Sequence, residues 1–173
     1  MISSSDFRKI KAIILDVDGT LTDGRYSFDA DGNVIKFFNM QDTHWIRMAL
    51  REGLKVGLLS GSTDEINLKF AKSLDLSFAV NGSFRKAEGF EQILSEQQLA
   101  ADECLYAGDD VTDIPVLKRA GIAAVPANAL PELDEVSPWR TRASGGAGAV
   151  VEIIRRVLAE KGLLDKAMER YRQ

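Results

Sequence analysis

Residues 10–20 read Ile10-Lys11-Ala12-Ile13-Ile14-Leu15-Asp16-Val17-Asp18-Gly19-Thr20, an apolar strand that runs straight into two carboxylates. Asp16 and Asp18 are one residue apart, so two like charges arrive at the end of a strand that reads as buried. Close anions raise each other's pKa unless a cation sits between them. The pair therefore predicts a metal site, and oxygen ligation with retained waters suits Mg²⁺.

Outward from this stretch, the chain alternates strands with helices. Gly24 to Phe38, with Asp31-Gly32 at its centre and Tyr26, Phe28, Val34, Ile35, Phe37 and Phe38 around it, predicts a β-hairpin. Asp42 is expected to cap a helix to about Glu52 with Trp45, Met48 and Ala49 at helical spacing, stopped by Gly53. Lys55 to Leu59 reads as a second strand, and Asp64 opens a helix whose Ile66, Phe70 and Leu74 are expected to face the core. A third strand is expected at Leu76 to Val80, a helix from about Lys86 to Gln97, and a fourth strand at Glu103 to Ala107. A helix over Asp110 to Arg119, a fifth strand over Gly121 to Val125 and a short helix near Leu130 to Val136 follow. Ser144-Gly145-Gly146-Ala147-Gly148 then leads into a last helix from about Ala149 to Glu160 and a charged tail. This pattern predicts an α/β fold with a parallel sheet covered on both faces. No repeat and no linker divides it, so residues 1–173 read as one domain.

Bulk properties narrow the function. Hydrophobic residues make up 45% and charged residues 28%, the balance of a chain that folds around a core in water. A net charge of −4 supplies no basic stripe to neutralise phosphates, which argues against a nucleic-acid partner. Cys104 is the only cysteine and sits in an apolar stretch, so it is expected as a buried thiol rather than half of a disulfide. No signal-peptide core stands at the N-terminus and no apolar run approaches the roughly 20 residues of a membrane span. A cytoplasmic protein without a membrane partner is the expectation.

In sheets of this kind ligands bind beyond the carboxyl ends of the strands. The first strand ends in Asp16 and Asp18, the second in Ser60-Gly61. The third is followed by Asn81-Gly82 and then Lys86, and the fourth by Gly108-Asp109-Asp110 with Asp113 one turn on. All are ligands for Mg²⁺ or a phosphate, and all fall on one rim. His44, the only histidine, lies in a first helix turn and is expected to be structural, while Asp23 and Gly24 shape the turn into the hairpin.

With these residues in order, the chain resembles the haloacid dehalogenase superfamily of phosphotransferases. Its four motifs correspond to Asp16-Val17-Asp18-Gly19-Thr20, Ser60, Lys86 and Gly108-Asp109-Asp110-Val111-Thr112-Asp113. The resemblance implies a Rossmann-like three-layer core and an Mg²⁺-dependent phosphatase. Asp16 would be the nucleophile that forms an aspartyl-phosphate, and Asp18 the general acid and base. It further implies that Asp16, the backbone carbonyl of Asp18, and Asp109 hold the metal, with Asp110 and Asp113 in support. Ser60, Gly61 and Lys86 would bind the phosphoryl group, while Gly19 and Gly108 let backbone approach it.

Only the hairpin and one helix fit between Thr20 and Ser60, and only a helix and a strand between Ser60 and Lys86, so no cap domain is expected. This plan is similar to the capless, tetrameric 3-deoxy-D-manno-octulosonate 8-phosphate phosphatases of lipopolysaccharide biosynthesis and the related nononate 9-phosphate phosphatases. Leu21-Thr22-Asp23-Gly24, Phe38-Asn39 ahead of Asp42, and Thr141-Arg142 followed by Gly145-Gly146-Ala147-Gly148-Ala149-Val150 carry the likeness. It implies a homotetramer in which the Tyr26/Phe28/Phe37/Phe38 hairpin is the adhesive edge, and a small phosphorylated sugar acid as substrate. Three departures bear on the substrate: Gly61-Ser62 in place of Gly-Arg or Gly-Glu, Asn81-Gly82 in place of Gln-Gly, and the bulkier Asp42-Thr43-His44-Trp45 in the helix. Ser62 removes a charged partner from the sugar-recognition position. A nucleotidase and a phosphoprotein phosphatase are competing enzymes; a receiver-like regulatory module is the competing non-enzyme, although receivers carry their phosphorylated Asp on the third strand.

Overall fold

The computed structural model describes residues 2–172. After helix α1 (Ser4–Lys9) come β1 (Ala12–Leu15), the hairpin strands β2 (Ser27–Phe28) and β3 (Val34–Ile35), α2 (Met40–Arg51) and β4 (Lys55–Leu59). Then follow α3 (Glu65–Ser73), β5 (Phe78–Val80), α4 (Lys86–Gln97), β6 (Cys104–Ala107), α5 (Ile114–Leu117), β7 (Ile122–Ala124), α6 (Ala149–Glu160) and α7 (Leu164–Glu169). Five parallel strands form one sheet in the order β5-β4-β1-β6-β7, with the hairpin as a separate two-stranded ribbon.

The central strand shows why a parallel sheet forms. All four residues of β1 are buried, as a strand covered on both faces requires. Side chains alternate between faces. Ile13 and Leu15 join Phe7, Ile46, Met48, Ile153 and Val157 under α1, α2 and α6. Ala12 and Ile14 join Phe90, Ile93, Tyr106 and Val116 under α4 and α5. Helix α6 presents Val150, Ile153, Ile154, Val157 and Leu158, the spacing of one apolar face. Full burial of such side chains stabilises by about 1.5–3 kcal/mol each before the entropy of ordering is subtracted.

Several local expectations are corrected. Asn39, not Asp42, caps α2, its side-chain oxygen accepting from the Gln41 N–H at 2.7 Å. Asp42 instead reaches across to α6 and accepts from the Val151 N–H at 2.9 Å, bolting two helices together. Of the residues expected to face the core from α3, Leu74 is buried and Phe70 packs against the core, but Ile66 is only half-buried, and Asn67 and Ala71 are the buried positions within the helix. The expected helix over 110–119 is a 3-10 turn at Val111–Asp113 followed by one short helix with Pro115 in its first turn. Phe38 leaves the hairpin edge and stacks on Phe70, with ring centroids 3.8 Å apart. The charged tail contains α7, held on α2 by Lys166–Glu52 at 2.9 Å and by Arg51 donating to the Tyr171 hydroxyl at 2.7 Å. Helix α1 is a further element that the pattern reading passes over, although Ser3 and Asp6 form a capping box.

Among the described residues only the hairpin, α2 and the core strand β4 lie between Thr20 and Ser60, and only α3 and β5 between Ser60 and Lys86. Among these residues the core carries no cap, and no helix is long and apolar enough to cross a membrane.

Candidate active site

Register brings the motif residues together. Leu15 lies beside Leu58 of β4 and Ala107 of β6, so the residues that follow these strands emerge side by side. The Asp16 N–H still bonds the Ala107 carbonyl at 2.9 Å, and the Ser60 N–H bonds the Val80 carbonyl at 2.9 Å. The chain winds from β1 out to β5 on one side and returns to β6 and β7 on the other. The rim above β1 is thus the switch point where a crevice must open.

Three carboxylates meet there. Asp16, Asp109 and Asp113 each place an oxygen within 4.8 Å of the others. Lys86, at the first position of α4, touches Asp16 at 2.7 Å and Asp113 at 2.5 Å, and both of those acids are buried. Asp113 is fully committed to the protein: one oxygen receives Lys86 and the Tyr106 hydroxyl, the other the N–H groups of Asp109 and Asp110 at 3.0 and 3.1 Å. Asp109 accepts from the Thr20 hydroxyl at 3.2 Å. Asp110 is exposed and closes the turn by accepting from the Val111 N–H at 2.6 Å.

The cluster is short of positive charge. Burial drives the Asp16 carboxyl well above its usual range; the Lys86 ammonium opposes this, and the Asp113 charge adds to it. Asp109 is pushed up to about 7, first by burial and then by Asp113. Burial alone would pull Lys86 down, but Asp16 and Asp113 outweigh it and push it up. One ammonium therefore faces three carboxylates, and a hard dication ligated by oxygen supplies the missing charge. Asp16 and Asp109 retain oxygen lone pairs for it, whereas Asp113 has none to spare.

Two glycines are required by this crowding. A Cβ on Gly19, whose φ is +87°, would lie 2.0 Å from an Asp109 oxygen, and one on Gly108 would lie 2.3 Å from the Asp113 carboxyl carbon. The expectation that these glycines admit a ligand is thus corrected in its reason: the space they leave is filled by the site's own carboxylates.

Asp18 stands apart from the cluster. Its carboxylate is partly exposed and is held through both oxygens by Lys36 at 2.7 and 2.8 Å. Ser60 is buried and accepts from the Ser62 N–H at 3.1 Å and the Asn67 amide at 3.3 Å, leaving its hydroxyl hydrogen free to donate. Gly61, Ser62, Thr63, Phe84, Lys86 and Thr112 border a cavity of about 350 Å³, and Asp18, Tyr26, Phe28, Lys36, Ser62 and Asp64 border a second of about 450 Å³. Lys36, Asn67, Tyr106 and Asn128 are site residues that the motif reading misses. Lys36 alone left a signal, a cation inside the otherwise apolar run Val34 to Phe38. Asn128 donates to the Gly19 carbonyl at 2.9 Å and accepts from the Gly145 N–H at 2.6 Å, tying the glycine segment to the Asp16 loop. His44 is exposed and meets Tyr171 edge-on, with ring centroids 5.3 Å apart.

The chain is similar to known proteins. The family model for haloacid dehalogenase-like hydrolases matches residues 43–121, which include Ser60, Lys86, Asp109 and Asp113. The 3-deoxy-D-manno-octulosonate 8-phosphate phosphatase of Escherichia coli is 33% identical over 158 residues, covering 91% of this chain and 84% of that one. The crystal structure of the enzyme of that name from Moraxella catarrhalis, in complex with magnesium ion, phosphate ion and KDO, superposes with a TM-score of 0.93 at 25% identity, covering 97% of both chains. The Yersinia pestis enzyme superposes with a TM-score of 0.90 at 28% identity, covering 94% of this chain and 88% of that one.

Proposed function

Because the chain belongs to the haloacid dehalogenase-like hydrolases and is one of their phosphatases, we propose that it hydrolyses a sugar-acid phosphate such as 3-deoxy-D-manno-octulosonate 8-phosphate through an aspartyl-phosphate. The observation that carries this reading is the buried Asp16–Lys86–Asp113 unit beside Asp109, with Ser60 and Asp18 on the same rim.

Magnesium is the cofactor; the Asp16 and Asp109 carboxylates and the Asp18 carbonyl would hold it. When bound, it supplies the positive charge that lets an anionic nucleophile meet an anionic ester. The remaining roles fall to the chain. Asp16, free of any other covalent task, attacks phosphorus; the P–O bond to the alcohol breaks as the Asp16 O–P bond forms. Asp18, outside the carboxylate cluster and facing a cavity, gives its proton to the departing oxygen and then takes one from the water that cleaves the acyl phosphate. Ser60 donates its hydroxyl to a phosphoryl oxygen, Gly61 lets the backbone approach it, and Lys86 neutralises charge on the nucleophile and the transferring group. Asp113 locks Lys86, and Asp110 closes the turn that presents Asp109.

A phosphate-release screen over octulosonate and nononate phosphates, hexose phosphates and nucleotides tests the substrate. The octulosonate ester is expected to give the highest kcat/KM, and preference for a nucleotide or a neutral sugar phosphate would overturn the sugar-acid reading. Ser62 lines both cavities without offering charge and departs from the octulosonate and nononate patterns alike, so a related nononate 9-phosphate is the runner-up that the screen must separate from the octulosonate ester.

We also propose that hairpins from four chains pack together, in the cytoplasm, where phosphorylated sugars are confined. Tyr26, Phe28, Phe37 and Met40, on and just after the ribbon and at the start of α2, are 60–77% exposed, more apolar surface than a lone hairpin holds in water. Light scattering is expected to give a tetramer, and Phe28→Glu to lower the assembly state. A monomer of the unaltered protein at micromolar concentration contradicts this arrangement; fractionation of cells checks the compartment.

A further inference from the structure

We propose that Lys36, delivered by the hairpin, is a positioning residue that holds Asp18 in the orientation from which it protonates the leaving group. The inference rests on the role given above to Asp18.

A lysine following a short exposed ribbon would ordinarily be solvated. Here its side chain is 1% exposed. The ammonium lies 2.7 and 2.8 Å from the two Asp18 oxygens, 2.9 Å from Asp64 Oδ2 and 3.3 Å from Asn67 Oδ1. Four acceptors surround a group with three hydrogens, so no donor remains for a substrate. Lys36 is therefore saturated by protein, unlike Lys86, whose partner Asp16 reacts.

Its partners are themselves fixed. Asp64 receives the Ser62 hydroxyl at 2.6 Å, and its carboxyl is held below its usual range by that bond and then by Lys36. The Asn67 amide donates to Ser60 Oγ at 3.3 Å and to Asn81 Oδ1 at 2.9 Å. Asn81 in turn donates to the Asp64 carbonyl at 3.1 Å. Asp18 would otherwise be a partly exposed carboxylate free to rotate, since among the described residues its only side-chain partner is Lys36. Charge-assisted bonds to a buried, immobile ammonium remove that freedom. A proton donor contributes about 10²–10⁴ in rate only while it stays within hydrogen-bond reach of the departing oxygen. The hairpin thus has a task inside its own subunit, besides any contact between subunits.

The test compares two esters of similar shape, p-nitrophenyl phosphate and phenyl phosphate. The first leaves as a weakly basic anion and needs little protonation; the second leaves as a more basic one. Only kcat/KM is read, because it reports steps through the first P–O cleavage and is blind to the later hydrolysis of the acyl phosphate. Lys36→Met is expected to lose at least about tenfold more kcat/KM on phenyl phosphate than on p-nitrophenyl phosphate. Lys36→Arg is expected to recover part of that selective loss. Equal losses on the two esters would overturn the proposal, since a substrate-binding or purely structural lysine affects both alike. Asp18→Asn, run in parallel, separates the two ideas. If it shows no selectivity between the esters, the acid role of Asp18 fails; if it does and Lys36→Met does not, only the positioning role fails. Should Lys36→Met not fold with two carboxylates left unpaired, Lys36→Met/Asp64→Asn removes one of them and is held to the same ratio.

Discussion

Asp16→Asn is expected to lower turnover by at least about 10⁴-fold while leaving the fold intact. Asparagine has the same shape, and its side-chain oxygen can still accept from Lys86, which now lies 2.7 Å from Asp16. What it lacks is a nucleophilic oxygen with a negative charge. Stability should not suffer in metal-free buffer. Burial raises the Asp16 carboxyl above its unfolded value, so its ionised form weakens folding as pH climbs from the unfolded pKa of about 3.9 through the higher folded one. Asparagine carries no such penalty, and the melting temperature without metal at pH 7 is expected to match or exceed that of the unaltered protein. Steady-state phosphate release and a thermal melt check both halves. Retained turnover would remove Asp16 as the nucleophile, and a collapsed melt would make it a structural residue.

Lys86→Met is expected to damage both activity and stability, which distinguishes it from Asp16→Asn. Among the described residues the ammonium is the one side-chain cation in contact with Asp16 and Asp113, two buried acids. Removing one partner from a buried ionic unit strands the other and costs about 3–5 kcal/mol. Metal binding at Asp16 and Asp109 offsets part of this, so the loss should be smallest at saturating Mg²⁺. For activity, loss of a charge aimed at the transferring group is expected to lower kcat/KM by about 10²–10³-fold. Urea unfolding with and without Mg²⁺, beside kinetics on p-nitrophenyl phosphate, measures both. Unchanged stability in metal-free buffer would mean that Asp16 and Asp113 do not depend on Lys86 for their charge.

The comparison with Lys36 is instructive. Both lysines are buried among carboxylates, but only Lys86 was visible in the chain as a string of letters. It follows the motif order after strands whose apolar runs are unmistakable, so its place on the rim could be read from topology. Lys36 lies 18 positions from Asp18 and 31 from Asn67, inside a ribbon whose aromatic residues dominate its reading. Nothing local requires that ribbon to fold back over the rim.

The same division runs through the fold. β4, α4 and α6 appear with the boundaries their patterns predict, since a short continuous apolar run and an apolar stripe are properties of a segment alone. Asp42 shows the opposite case: a good cap by position, it is spent on Val151 of α6 because Asn39 already serves α2. Pro115 and the Asp110–Asp113 turn likewise shortened a helix that its apolar residues alone would have extended.

By itself, then, the order of residues determined the layered α/β core and which side chains would reach its rim, because strand period, helix period and the residues just past each strand are local features. Only tertiary structure decided which of those side chains touch. Asp113 belongs to Lys86 and Tyr106, Asp18 to Lys36, and Asp42 to another helix. The physical reason is that hydrogen bonds and ion pairs between distant segments form wherever packing brings donor and acceptor within about 3 Å, and packing is set by the whole core.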